Sequence, residues 1–162
     1  MSDLTIRPLR AEDIPALRAV LNDIIAIGGT TANEEPFTDE GFAVEFGPGP
    51  ETICCIVAVL NGAPIAFQHL GRYGADRPEW GYISSFAAPS AQGHGIGPQL
   101  FAQTAALAKD AGLLKINATI RADNVPGLRY YAKMGFVEYD RAVGVPLRDG
   151  TPVDRVKTVF TL

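Results

Sequence analysis

Apolar and polar positions along this chain alternate at its start, gather into two apolar runs between residues 53 and 70, and take up a helical period in three longer stretches. Leu4-Thr5-Ile6-Arg7-Pro8-Leu9 alternates apolar and polar residues as a half-buried strand does. Asp13 ahead of Pro15 opens a helix, carried on by Ile14, Leu17, Leu21, Ile24 and Ile25 and closed at Gly28-Gly29. From Thr30 to Pro50 polar residues, Gly and Pro mix, with a short helix predicted over Thr38 to Phe46. Ile53 to Leu60 and Pro64 to Leu70 are apolar runs joined by Asn61-Gly62, which predicts a tight hairpin. Arg72 to Glu79 reads as a polar connection, and Trp80 to Ala87 as a further strand.

Beyond Pro89 the pattern alternates between the two periods. A Gly-containing loop, Pro89 to Gly97, leads into a helix over Pro98 to Ala111 with Leu100, Phe101, Leu107, Ala108 and Ala111 on one broad face. Gly112 caps it. Leu114 to Ile120 reads as a strand, Val125 to Met134 as a helix ended by Gly135, and Phe136 to Val145 and Val153 to Leu162 as two last strands. A block of strands followed by alternation predicts an α/β chain built on a mixed sheet with helices on its faces. With no linker, repeat or low-complexity segment, one domain is expected over residues 1–162.

Charge narrows the function. The net charge of -4 and a scatter of basic residues without a run leave no field for a phosphate backbone, so nucleic acid is not expected as a partner. The longest apolar run is a strand's length, well short of the roughly 20 residues of a membrane span. The opening Met1-Ser2-Asp3-Leu4 lacks a basic segment followed by an apolar one, so no secretory signal is expected. Cys54 and Cys55 are adjacent in a strand and point to opposite faces, which disfavours a mutual disulfide. Two buried thiols in a reducing, cytoplasmic setting are the expectation. His69 and His94 are the only histidines, and no metal site is expected.

The segment from Ser84 to Leu100 carries the chemistry. A strand runs into a loop with Gly93, Gly95 and Gly97, and the loop opens a helix. Glycines free of a Cβ and the unpaired N–H groups of a helix start form a phosphate cradle. No lysine occurs between Leu60 and Ala108, which excludes a P-loop. A dinucleotide fingerprint would need glycine at Pro98 or Leu100. What remains is Gln92-x-x-Gly95-x-Gly97.

That pattern resembles the pyrophosphate loop of the GNAT superfamily of N-acetyltransferases. Asn124 to Phe136, with Asn124, Tyr131 and Gly135-Phe136 in register, resembles the family's second segment, at matching order and separation. The resemblance covers nearly the whole chain. It implies a GNAT-like fold, with a central, mostly antiparallel sheet splayed between its fourth and fifth strands and flanked by helices. It implies an enzyme that moves an acetyl group from acetyl-CoA, as acyl donor and without a metal, onto a primary amine by direct attack. By the same resemblance Gln92, Gly93, His94, Gly95, Ile96 and Gly97 would hold the pyrophosphate, though His94 also reads as exposed filler. Phe86, Ala87 and Ala88 would pair with the pantetheine arm, and Asn124 would hydrogen-bond near it. Tyr131 would stand by the thioester sulfur as acid, with Tyr130 as packing. A backbone N–H near Ala87 or Ala88 would polarise the thioester carbonyl.

The base is the thin part of the pattern. Where many family members place a glutamate on the strand before the loop, this chain has Tyr82. Glu79, acting through water, is one candidate; Glu34, Glu35 and Asp39 in the early loop are the others. Ile27 to Ala32 is similar to the branch that acetylates amino-acid analogues such as phosphinothricin, which leans the acceptor towards a small amine. A protein N-terminus or lysine as acceptor, or a non-catalytic acyl-CoA sensor, are the alternatives. Homodimers are common in the family, and the two last strands are the candidate interface.

Overall fold

Local turn and cap chemistry sets the ends of most elements. The structure, a computed structural model, describes residues 3–73 and 76–162. Met1 and Ser2, part of the opening read for a signal, and Gly74 and Ala75, inside the expected polar connection, lie outside the described residues. Strand β1 spans Leu4–Pro8 and helix α1 Ile14–Ile27. Asp13 precedes α1 without capping it. Its carboxylate instead accepts from the Arg7 guanidinium at 2.7 and 2.9 Å and from the Arg10 N–H at 2.8 Å, pinning the β1–α1 corner. Helix α2, Asp39–Phe46, is capped by Thr38, whose Oγ1 accepts from the Gly41 N–H at 3.0 Å. Strands β2 (Thr52–Leu60) and β3 (Ala63–Gly71) turn on Asn61-Gly62, both at positive φ (51° and 82°), which is the hairpin turn that pair favours.

Strand β4 is Trp80–Ala87, α3 is Ile96–Asp110, β5 is Lys115–Arg121, α4 is Val125–Met134, β6 is Val137–Pro146 and β7 is Pro152–Thr161. Together the strands form one seven-stranded sheet in the order β1-β2-β3-β4-β5-β7-β6. Every pairing is antiparallel except β4 with β5. That parallel pair holds only at Trp80–Lys115, Gly81–Ile116 and Tyr82–Asn117. Beyond Tyr82, β4 stays with β3 while β5 stays with β7, so the sheet splays between its fourth and fifth strands.

Alternation decides what each strand residue meets. Ile83 packs with Phe101 of α3, Tyr131 of α4 and Phe136, and Phe86 packs on the other face with Phe46 of α2 and Phe67. Helices α3 and α4 therefore cover one face, α1 and α2 the other. The thiols obey the same rule: Cys55 faces the α1–α2 side, Cys54 the opposite clusters, and both are free. Burial pushes them up to about 11 for Cys54 and about 12 for Cys55. One stripe differs from expectation. On α3 the buried residues are Ile96, Leu100, Phe101, Thr104 and Ala108, while Leu107 and Ala111 face solvent. The helix begins two residues earlier than its apolar pattern, at the end of the glycine loop, and Leu113 beyond it supplies the buried contact.

Candidate active site

The splay leaves β4 with one unpaired edge, and the register shows which backbone groups face it. The Ala88 N–H donates to Ile65 O at 2.8 Å, so Ala88 opposite Ile65 is a hydrogen-bonded pair. Two-residue alternation then turns the N–H and C=O groups of Ser84 and Phe86 towards β3, and those of Ile83, Ser85 and Ala87 towards the gap. A cavity of about 830 Å³ opens there, walled by β4, the loop after it, the starts of α3 and α4, and the C-terminal end of α1. That volume falls in the range of cofactor sites.

Sequence-predicted residues divide around this cavity. Phe86, Ala87, Ala88, Gln92, Ile96, Gly97 and Asn124 line it. Gly93 and Gly95, at φ of 81° and 65°, form the turn that brings the chain to the α3 start, and half-buried His94 lies between them off the cavity wall. Gly95, Ile96 and Gly97 carry the first N–H groups of a fifteen-residue helix, with no acceptor inside it. No Lys or Arg lines the cavity among the described residues, so a bound phosphate would rest on these backbone donors.

Asn124 is engaged twice: its Oδ1 accepts from the Gly127 N–H at 3.0 Å, capping α4, and its Nδ2 donates to Thr30 O at 2.8 Å. The second bond ties α4 to the loop between α1 and α2. Arg121, 7% exposed, adds another tie by donating to Thr31 O at 3.1 Å while paired with Asp123.

Tyr131 lies in the core beside the cavity and not on its wall. It packs against Phe136 and donates its only polar bond to Ser85 Oγ at 2.9 Å; burial holds its phenol well above the usual tyrosine value. Tyr130 does line the cavity. Its hydroxyl donates to Gly97 O at 2.8 Å and accepts from Gln68 Nε2 at 3.1 Å, and the same Nε2 donates to Ser85 Oγ at 2.8 Å. Sequence reasoning gave roles to neither Ser85 nor Gln68, although a serine inside β4 and a glutamine inside the apolar run of β3 are the polar exceptions that mark the spot.

The candidate bases sit elsewhere. Glu79 is exposed at the head of β4, six residues or about 20 Å of strand from Ser85, and its backbone carbonyl accepts from Leu114 N–H at 2.8 Å. Glu34 and Glu35 line a second cavity of about 450 Å³ with Asn33, Phe37 and Arg148. Glu34 accepts from the Arg148 backbone N–H at 2.8 Å, and Glu35 pairs with its guanidinium at 2.5 Å. The two cavities share one loop, since Thr30 and Thr31 line the first and Ala32 to Phe37 the second. Asp39 pairs with Arg18 at 2.5 Å. His69 is buried and donates to Thr52 Oγ1 at 3.0 Å, because the Thr52 hydroxyl is committed to Gly47 O at 2.8 Å. No cluster of three His, Cys, Asp or Glu side chains suited to a metal occurs among the described residues, and no described helix is long and apolar enough to cross a membrane.

Comparison with known proteins places this geometry. The model of the Acetyltransferase (GNAT) family matches residues 20–136. A protein of Bacillus subtilis (strain 168), YwnH, which carries a provisional name as a phosphinothricin acetyltransferase, is 30% identical over 158 residues, covering 93% of this chain and 94% of its own. A crystal structure provisionally named phosphinothricin N-acetyltransferase superposes with a TM-score of 0.84 at 27% identity, covering 99% of both chains. A GNAT superfamily phosphinothricin acetyltransferase from Sinorhizobium meliloti, crystallised with acetyl-CoA, gives 0.85 at 21% identity over 98% of this chain and 88% of its own.

Proposed function

The chain belongs to the acetyltransferase (GNAT) family and is an acetyl-CoA-dependent N-acetyltransferase, and we propose that its acceptor is the primary amine of a small molecule, an amino acid or an analogue of one. The observation that carries the site assignment is the unpaired edge of β4 facing a cavity that ends at the N-terminus of α3. An extended amide-bearing arm can hydrogen-bond to such an edge as a further strand would, and a pyrophosphate fits the free N–H groups of Gly95, Ile96 and Gly97. Asn124, Phe86 and Gln92 wall the channel between them. Acetyl-CoA supplies an acetyl thioester.

On this reading the Ala87 N–H polarises the thioester carbonyl, since Ala88's is taken by Ile65 and Ala87's faces the gap. The residues on the leaving-group side are Ser85 and, behind it, Tyr131. The acceptor enters through the cavity beside Arg148, whose wall continues into the first cavity along residues 30–37. Glu34 and Glu35 there meet an ammonium group, which has to lose its proton before it attacks because its reference pKa is about 10.4. Two relatives named for an amino-acid analogue support a small acceptor.

The test is thiol release from acetyl-CoA with a panel of amino acids, their analogues and simple amines. Saturable release with one of them supports the reading. Label passing from acetyl-CoA only into protein bands of a cell extract would replace it with a protein acceptor, and binding without any turnover would leave an acyl-CoA sensor.

A further inference from the structure

A count of donors and acceptors around Ser85 leaves one hydrogen unassigned. A serine hydroxyl has one hydrogen to give and two lone pairs to receive. Tyr131 is buried and has Ser85 Oγ as its single partner, so its proton goes there or stays unsatisfied in the core. The Tyr130 hydroxyl gives its hydrogen to Gly97 O and so receives from the Gln68 side chain, whose amide nitrogen faces both Tyr130 and Ser85 while its Oε1 stays buried without a partner. Ser85 Oγ therefore accepts twice, from Tyr131 and from Gln68. Its own hydrogen has no acceptor among the described residues, and Ser85 lines the cavity while Tyr131 and Gln68 do not.

We propose that Ser85 is the catalytic residue on the leaving-group side, its hydroxyl donating a hydrogen bond to the CoA sulfur as the thiolate departs, with Tyr131 as the positioning residue that turns that hydrogen into the cavity. The proposal rests on the acetyl-CoA reading of the site. In the reaction the amine nitrogen bonds to the carbonyl carbon, the carbon–sulfur bond breaks and its electron pair goes to sulfur. The proton that finally neutralises the thiolate is one the nitrogen sheds on becoming an amide. Tyr131 keeps its own proton, since a tyrosinate sealed between Phe136 and Tyr130 is strongly disfavoured. Its bond to Ser85 strengthens the outgoing one by polarising it.

The experiment needs no acceptor. Free CoA is bound to the wild type and to Ser85→Ala, Ser85→Thr and Tyr131→Phe, and the ultraviolet absorbance of its thiolate is followed against pH. A charge-assisted hydrogen bond to sulfur holds the bound thiol about one to two pH units lower in the wild type than in Ser85→Ala. Ser85→Thr retains the low value, Tyr131→Phe lies between, and Tyr131→Phe adds nothing in the Ser85→Ala background. With the best acceptor, Ser85→Ala lowers kcat ten-fold or more at nearly unchanged KM for acetyl-CoA. Equal midpoints in wild type and Ser85→Ala, both with CoA bound, would overturn the role of Ser85 alone. A full Tyr131 effect in the Ser85→Ala background would overturn the order of the two hydroxyls. Failure of CoA to bind any of the proteins would overturn the cofactor site and this proposal with it.

Discussion

Gly97 is where the helix start, the cavity wall and the tyrosine network meet, and a single methyl there tests all three. A Cβ on Gly97 would stand 2.7 Å from Tyr130 Cε1 and 3.3 Å from its Cδ1. Ordinary carbon contacts need about 3.5 Å, so the ring must retreat by roughly 0.8 Å. That movement stretches the 2.8 Å bond from the Tyr130 hydroxyl to Gly97 O past a normal hydrogen-bond length and loosens the 3.1 Å bond from Gln68. Overpacking of this kind costs about 1–3 kcal/mol, against up to about 1 kcal/mol returned by replacing glycine in a helix. The net for Gly97→Ala is a loss of about 1–2 kcal/mol, which lowers the unfolding midpoint of a chain this size by about 2–8 °C. Acetyl-CoA affinity falls in parallel, because both residues line the cavity. Thermal unfolding of Gly97→Ala, Tyr130→Ala and the double variant measures the coupling, which should be about 1 kcal/mol since truncating the ring removes the clash. A Gly97→Ala protein as stable as the wild type, with effects that simply add in the double variant, would mean that the Tyr130 ring does not press on position 97.

Other consequences follow from groups away from the cavity wall or at its rim. His69, pushed down to about 4 by burial, stays neutral in the fold while the unfolded chain takes up a proton near 6.5. Stability should therefore fall as pH drops from about 6.5 to about 4, by up to about 3 kcal/mol, and denaturant titrations of His69→Gln should show that slope flattened. Asp13 is held below the usual carboxylate range, first by its hydrogen bond from Arg7, so its contribution is present above about pH 4 and is lost on further acidification through its folded value. Asp13→Asn strands a partly buried Arg7 and should cost about 3 kcal/mol in urea unfolding at neutral pH. Asn124→Ala removes the α4 cap and the tie to Thr30 O; a loss of about 1–2 kcal/mol and weaker acetyl-CoA binding by calorimetry are expected.

Much of this architecture was legible because it is local. The Asn61-Gly62 turn, the Thr38 region, the run from Trp80 to Ala87 and the glycine loop opening a helix each announce themselves within a few residues. The splay was reached through resemblance, since nothing in the apolar pattern of β5 states that its parallel pairing with β4 stops after three residues. The role expected of Asp13 failed for a related reason: its position matches a cap, but a guanidinium from β1 reached it first. In the site, backbone donors were visible as glycines and a helix start. The Gln68–Ser85–Tyr131 network was not, because it joins β3, β4 and α4 across up to 62 residues in its longest bond, Gln68 to Tyr130. The tyrosine pair shows the limit most clearly. Adjacent helix residues point about 100° apart, and only the fold decides that Tyr130 meets the cavity while Tyr131 meets Ser85.

On this reading the open edge of β4 and the start of α3 together hold acetyl-CoA. Thermal unfolding of the wild type with acetyl-CoA and, separately, with NAD and ATP tests it most directly. At 100 times its dissociation constant a ligand stabilises by about 2.7 kcal/mol, which raises the midpoint by about 5–10 °C. A rise of that size is expected with acetyl-CoA and none with the other two; an unmoved midpoint with acetyl-CoA, or an equal rise with all three, would mean that the β4 edge and the α3 start are not an acetyl-CoA site.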